Sequence, residues 1–397
     1  MVDPHPARMG GHDLPARFSE MPEPPARRRP HRGAALWFAG FLAAAAVLGG
    51  LQLCANLGYD GAAADYEAQA RTTSETLAET ASAVDALDAA HDAASQIIGV
   101  DDGALADPAT HAGLETAVAD TEAVLLASAD LIASDIPDAG TKPGWFWELF
   151  AESSRLGAQR AEIGELEDDL SALQVDVGDA GAEVEEKGLA LLDSATAATD
   201  ASEAAHISTK NDAVVALRAT AAQVSEVDTI DQVAADAFLG LTRAAEQIVA
   251  TERIELAEKA GPLLSARLEV EAFARSLAPD VLLEFDWSPV VNGAGERGSM
   301  GGYTSWWWSP PGRAVIELSD SVAAQWPTDA SKALIAHEVG HAISVKCQGM
   351  YDPSTQESIE DWATAWAISM GFHDDANGVW AYGYPPQSYI DAAAGCR

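Results

Sequence analysis

The sequence predicts a membrane-anchored chain with a long α-helical region followed by a C-terminal α+β domain. Three observations predict it. Residues 34–57 carry no charge. No proline interrupts the Ala-, Glu-, Asp- and Leu-rich stretch between Pro143 and Pro262. Eight of the 11 tryptophans fall between Trp287 and Trp380, where short apolar runs and turn signals replace the helical pattern.

Residues 1–33 are rich in Pro and Arg, lack apolar periodicity and read as a disordered tail. As a helix, residues 34–53 span about 30 Å, enough to cross a bilayer. Arg27, Arg28, Arg29 and Arg32 precede the apolar run, and Asp60 is the first charge after it. The positive-inside rule then puts the N-terminus in the cytoplasm and everything beyond residue 57 outside it. A cleaved secretory signal is the rival reading, with Ala62-Ala63-Ala64 as an A-x-A site. The long leader and the long apolar run favour an uncleaved, single-pass anchor in the cell membrane.

Residues 58–277 read as helical throughout. Ile163, Leu166, Leu170, Leu173, Val177, Val184 and Leu191 keep the 3-4 spacing of a coiled-coil seam, weakened by Gly178, Gly181 and Gly188. Leu217, Val224, Ile230 and Val233 suggest a returning helix. The expectation is an antiparallel hairpin or bundle. Such a region serves as a stalk, a partner-binding or self-associating arm, or a plain spacer. The formal net charge of −39 excludes nucleic acid as a partner and disfavours anionic lipid.

Residues 278–397 form the last domain. Val281–Trp287, Tyr303–Trp308 and Arg313–Leu318 read as strands, the latter two around a Ser309-Pro310-Pro311-Gly312 turn. Thr328 or Asp329 caps a following helix. That helix contains His337-Glu338-Val339-Gly340-His341. Residues four apart share a helix face, so both imidazoles can reach one metal ion. Glu338 sits about 100° round the helix, placed to hold a water.

A second motif follows, Glu357-Ser358-Ile359-Glu360-Asp361. Asp352 and Pro353 suit the start of its helix. Ile359, Trp362, Trp366 and Met370 make a core stripe. Glu357 and Asp361 point nearly opposite that stripe, toward another element. Two histidines and a glutamate with an open fourth position form a catalytic zinc set. Asp361 would accept a hydrogen bond from a ligand imidazole. If Glu357 instead answers Ser354 in a capping box, Glu360 becomes the better ligand. His373 is a weaker candidate. A third histidine six residues beyond His341 would suit another zinc pattern, but that position is Cys347.

HEVGH followed by E-x-x-x-D resembles the gluzincin group of zinc metallopeptidases, over at most the last ~120 residues. The resemblance implies a zincin-like domain that hydrolyses peptide or protein substrates. It implies His337, His341 and Glu357 as Zn2+ ligands, Glu338 as general base and Asp361 as support for a histidine. It also suggests Ala314–Leu318 as a substrate-binding edge strand. Tyr382, Tyr384 or Tyr389 would donate to the oxyanion, and the Trp306–Trp308 run could line the substrate pocket. Two other readings remain: an inactive zincin-fold binding module, and an envelope scaffold or sensor acting through the helices. Outside the cytoplasm, Cys347 and Cys396 could form a disulfide pinning the tail to the active helix.

Overall fold

The computed structural model describes residues 32–101, 103–310 and 312–397. The predicted tail, up to residue 31, lies outside them, as do Arg27, Arg28 and Arg29. The described residues divide into two compact units, residues 32–69 with 137–161, and residues 70–136 with 162–397.

In the first unit, helix α1 (Arg32–Val100) begins with the apolar run. Trp37, Phe38, Phe41, Leu42 and Val47 are all exposed there. An exposed, uncharged surface of this kind is what a bilayer-crossing helix presents to lipid. Beyond it Ala55, Tyr59 and Tyr66 are buried, as are Leu149 and Leu156 of helix α3 (Phe146–Ala205). Lys142 pairs with Asp60 at 2.6 Å and Arg160 with Asp65 at 3.3 Å.

In the second unit, α1 and α3 run parallel. Thr73 Oγ1 donates to the Ile163 carbonyl at 3.3 Å, and Gln174 Nε2 donates to Thr80 Oγ1 at 3.0 Å. Helix α2 (Pro108–Ile132) reverses the chain between them. Its start meets Ser194 through Thr110, while Val124 and Leu125 pack near Leu173 and Val177. The two longest helices thus run in one direction, with α2 antiparallel to α3. The predicted seam nonetheless faces inward: Ile163, Leu170, Leu173, Val177, Val184 and Leu191 are buried.

The returning segment is two helices, α4 (Asn211–Ser225) and α5 (Gln232–Glu258). Ile230 is buried in the break between them, and Val233 is exposed rather than core. Asp231 imposes the break by capping α5, accepting from Val233 N–H at 2.8 Å and Ala234 N–H at 3.0 Å.

Helix α6 (Leu264–Leu277) leads into the last domain. Val270 and Ala274 of α6 share a core with Phe285, Ile316, Ile335 and Trp362, so this core begins ahead of residue 278. A buried ionic network ties α5 and α6 together. Lys259 Nζ lies 3.1 Å from Glu271, which also accepts from Trp287 Nε1 at 3.0 Å. Lys210 Nζ lies 3.1 Å from Glu255. Removing one member would strand a buried charge.

The sheet has the order β1-β3-β2. Strand β1 (Leu282–Ser288) is parallel to β3 (Arg313–Ser319), and β2 (Gly302–Trp307) is antiparallel to β3. Residues 314–318 are thus central, not an edge, because β1 occupies the side of β3 that β2 leaves open. The edge beside the histidines is β2. After the short helix α7 (Asp320–Ala324), helix α8 (Asp329–Ile343) carries both histidines. Helix α9 (Gln356–Ser369), then α10 (Val379–Tyr382) and α11 (Gln387–Ala393), complete the chain.

Cys347 and Cys396 form a disulfide across 49 residues, and Trp366 Nε1 donates to the Cys396 carbonyl at 3.0 Å. Closing a loop of that size is worth about 4 kcal/mol in the chain-entropy picture. Replacing both cysteines by serine should lower the free energy of unfolding by roughly 2–4 kcal/mol. Chemical denaturation of the two proteins measures this, and an unchanged midpoint would show that the bond adds nothing.

Candidate metal centre

Helix α8 starts where Thr328 caps it, accepting from Ser331 N–H at 3.3 Å. Every residue from Ala333 to Ile343 is buried, so the helix runs through the interior and not along its surface. Its polar side chains must therefore find partners inside the protein. Gly340 fixes how closely α9 approaches: a Cβ there would lie 2.7 Å from the Ala363 carbonyl oxygen. Trp362 Nε1 locks the crossing by donating to the Gly340 carbonyl at 3.1 Å.

That close crossing brings Glu360, not Glu357, to the histidines. His337 Nε2 lies 3.1 Å from Glu360 Oε2, His341 Nε2 lies 3.3 Å from the same oxygen, and the two Nε2 atoms are 3.2 Å apart. Glu357 is exposed in the first turn of α9. The ligand assignment to Glu357 is corrected on this point. It assumed that α9 has one apolar face, the tryptophan stripe, with the metal opposite. In fact α9 is enclosed on two sides. Trp362 and Trp366 fill one core, while Glu360, Ala363, Thr364 and Ala367, all buried, form a second face. Gly340 against Ala363 is the sequence signal for it. The helix cap also differs from expectation. Thr355 caps α9, and Asp352 turns back onto Ser354.

The support for the imidazole also comes from elsewhere. His337 Nδ1 lies 2.9 Å from the Asn377 carbonyl oxygen and 3.3 Å from Thr364 Oγ1. The carbonyl can only accept, so Nδ1 carries a ring proton, and in the neutral ring it is Nε2 that has the lone pair a metal could take. Asp361, the predicted support, makes no hydrogen bond to either imidazole among the described residues. Burial and the neighbouring Glu357 raise its carboxyl instead. Asn377 is held by its own turn, donating to the Phe372 carbonyl at 2.9 Å and accepting from Val379 N–H at 3.1 Å. No periodicity marks this residue in the sequence. His373 is exposed and plays no part.

Glu338 is buried beside the histidines in a cleft that Asn292, Tyr303, Trp306, Gln356 and Tyr382 also line. Thr304 Oγ1 donates to its Oε2 at 2.7 Å. Gly302 makes room for it: a Cβ there would meet Glu338 Oε1 at 2.5 Å. Trp306 stacks on His341 with centroids 5.5 Å apart, and Tyr382 stacks on His337 at 6.0 Å. Tyr384 is exposed and Tyr389 bonds Ser358, so neither shares the contact. Trp307 and Trp308 are partly exposed at the end of β2.

The electrostatics follow from burial. Burial alone would raise the Glu360 carboxyl, but hydrogen bonds from His337 and His341 hold it far below the usual carboxylate range. His337 is lowered by burial and raised more by Glu360 and Glu338, for a net rise. Burial, then the charges of Glu360 and Glu338, push Tyr382 up to about 12.

The donor set fits a metal. A neutral Nε2 lone pair on His337 faces a carboxylate oxygen, and that pairing repels unless a cation or a proton lies between. Nitrogen and oxygen ligands at about 2.0–2.1 Å in a tetrahedron lie about 3.3 Å apart, close to the triangle found here. The cluster matches the HExxH…E zinc-binding geometry of gluzincin peptidases, and is typical of zinc metallopeptidase active sites. A second group, Asp88, His91 and Asp92, lies on one helix face and is largely exposed, whereas the His337, His341 and Glu360 group is buried. Among the described residues, larger hollows such as that lined by Leu105, His206 and Arg253 hold no comparable ligand set. No known protein family, curated protein or solved structure matches this chain.

Proposed function

We propose that this chain is a single-pass membrane peptidase dependent on zinc, with its N-terminus in the cytoplasm and its catalytic domain outside. The observation that carries the reading is the buried triangle of His337 Nε2, His341 Nε2 and Glu360 Oε2, with Glu338 lining the same cleft. These three side chains would hold the ion. When bound, zinc supplies a Lewis acid and lowers the pKa of its water toward about 7.

The protein's own groups do the rest. Glu338, oriented by Thr304, accepts the proton of the attacking water and passes it to the leaving amine. The Asn377 carbonyl keeps His337 in the tautomer that presents Nε2. Tyr382, stacked on His337, would donate to the oxyanion. The free edge of β2 offers unpaired N–H and C=O groups to an extended peptide, between Tyr303 and Trp306.

Full-length protein in phosphatidylcholine nanodiscs should bind about one zinc per chain and cleave a quenched peptide library. Chelation should abolish cleavage, and stoichiometric zinc should restore it. Cleavage that survives complete zinc removal sinks this reading. A zinc-loaded protein that binds peptides without cutting them would establish a binding module instead.

A further inference from the structure

We infer that Trp145, Trp147 and Phe150, at the start of α3, insert into the interfacial layer of the bilayer, beside the point where α1 leaves it. This rests on the reading of residues 34–57 as a membrane span.

The placement comes from one polar stripe on α1. Gln52 is the first polar side chain after the apolar run, and Asn56 and Asp60 follow at four-residue spacing. Residues so spaced share a helix face. The loop before α3 is fastened to that stripe at both ends. Gln52 Nε2 donates to the Gly144 carbonyl at 3.1 Å, and Lys142 Nζ donates to Asp60 at 2.6 Å. Gln52 and Asp60 are separated along the helix by about 12 Å. A membrane core about 30 Å thick, occupied by residues 34–53, puts Gln52 at its outer margin and Asp60 in water. The loop is thus held at headgroup depth.

At this depth the chain displays aromatic surface that water alone would not favour. Trp145 and Trp147 stack with centroids 5.1 Å apart, yet are 60% and 54% exposed. Phe146 packs edge-on to Trp147, and Phe150 is 46% exposed one turn on. Leu149, between them, is fully buried, so the aromatics are the outward side of a helix packed by its other side. Leu53 and Leu57 of α1, one and five residues after Gln52, are exposed as well. Tryptophan concentrates at the membrane–water boundary because its ring is apolar and its N–H is polar. The one basic residue of the loop, Lys142, is spent on Asp60, and Glu148 adds negative charge. The contact therefore fits uncharged zwitterionic lipid by aromatic insertion, not anionic lipid by charge. Two membrane contacts, α1 and the start of α3, would fix the tilt and rotation of α1.

The test uses the full chain with 5-fluorotryptophan in phosphatidylcholine nanodiscs, read by fluorine NMR. Trp→Phe variants assign the resonances of Trp37, Trp145, Trp147 and Trp380. A spin-labelled lipid should broaden Trp145 and Trp147 severalfold more than Trp380, which is 87% exposed in the C-terminal domain. A water-soluble gadolinium chelate should do the reverse. If Trp145 and Trp147 follow Trp380 in both experiments, the inference is overturned. Protection from both agents overturns it as well, because it means that protein covers the ring pair. Trp37 separates the two readings. Its failure to respond to the lipid label removes the membrane span itself, whereas a response from Trp37 without one from Trp145 and Trp147 removes only the second contact.

Discussion

Glu360→Gln should empty the metal centre, while Glu357→Ala leaves zinc affinity unchanged. The two carboxylates are three residues apart, but only Glu360 is buried against both imidazoles. Glu357 is exposed at the helix start and faces water. Loss of a residue that merely supports a ligand typically costs about 10–100-fold in metal affinity. Loss of a ligand should exceed that, so a drop beyond ~100-fold is expected for Glu360→Gln. Asp361→Ala should be nearly neutral, because no imidazole leans on it. Competition with a chromophoric chelator measures all three. If Glu357→Ala releases zinc and Glu360→Gln retains it, Glu357 and not Glu360 is the third ligand.

Glu338→Gln should keep its zinc and lose turnover. The amide fills the same space and can still accept from Thr304, but it cannot take a proton. A positioned general base contributes about 10²–10⁴-fold, and kcat should fall by that range with little change in KM. Thr304→Val tests the orientation of the base separately. It removes the 2.7 Å hydrogen bond while leaving the carboxylate, so a smaller loss of kcat is expected. Peptide cleavage by zinc-loaded variants decides the matter. Undiminished activity in Glu338→Gln would remove this residue from the chemistry and shift attention to Tyr382.

The parts whose signal is local were legible in the residues alone. The apolar run of α1, the Thr328 cap, the three strands to within a residue or two and the helical spacing of His337 and His341 all depend on near neighbours. The buried positions Ile163, Leu170, Trp362 and Trp366 were likewise legible, since periodicity reports which side of an element avoids water. Whatever depends on which elements touch was not legible there. The parallel course of α1 and α3 follows from α2 lying between them, and β2 is the edge because β1 returns beside β3. Glu360 joins the two histidines because Gly340 and Ala363 let two helix backbones close together, a fact about a pair of helices and not about either one. The same holds for Asn377. Its carbonyl reaches His337 across 40 residues of chain, and a backbone oxygen leaves no mark in an amino-acid sequence. A helical wheel shows where a residue points, but only packing on a second side of α9 decides whether that direction leads to water or to the metal.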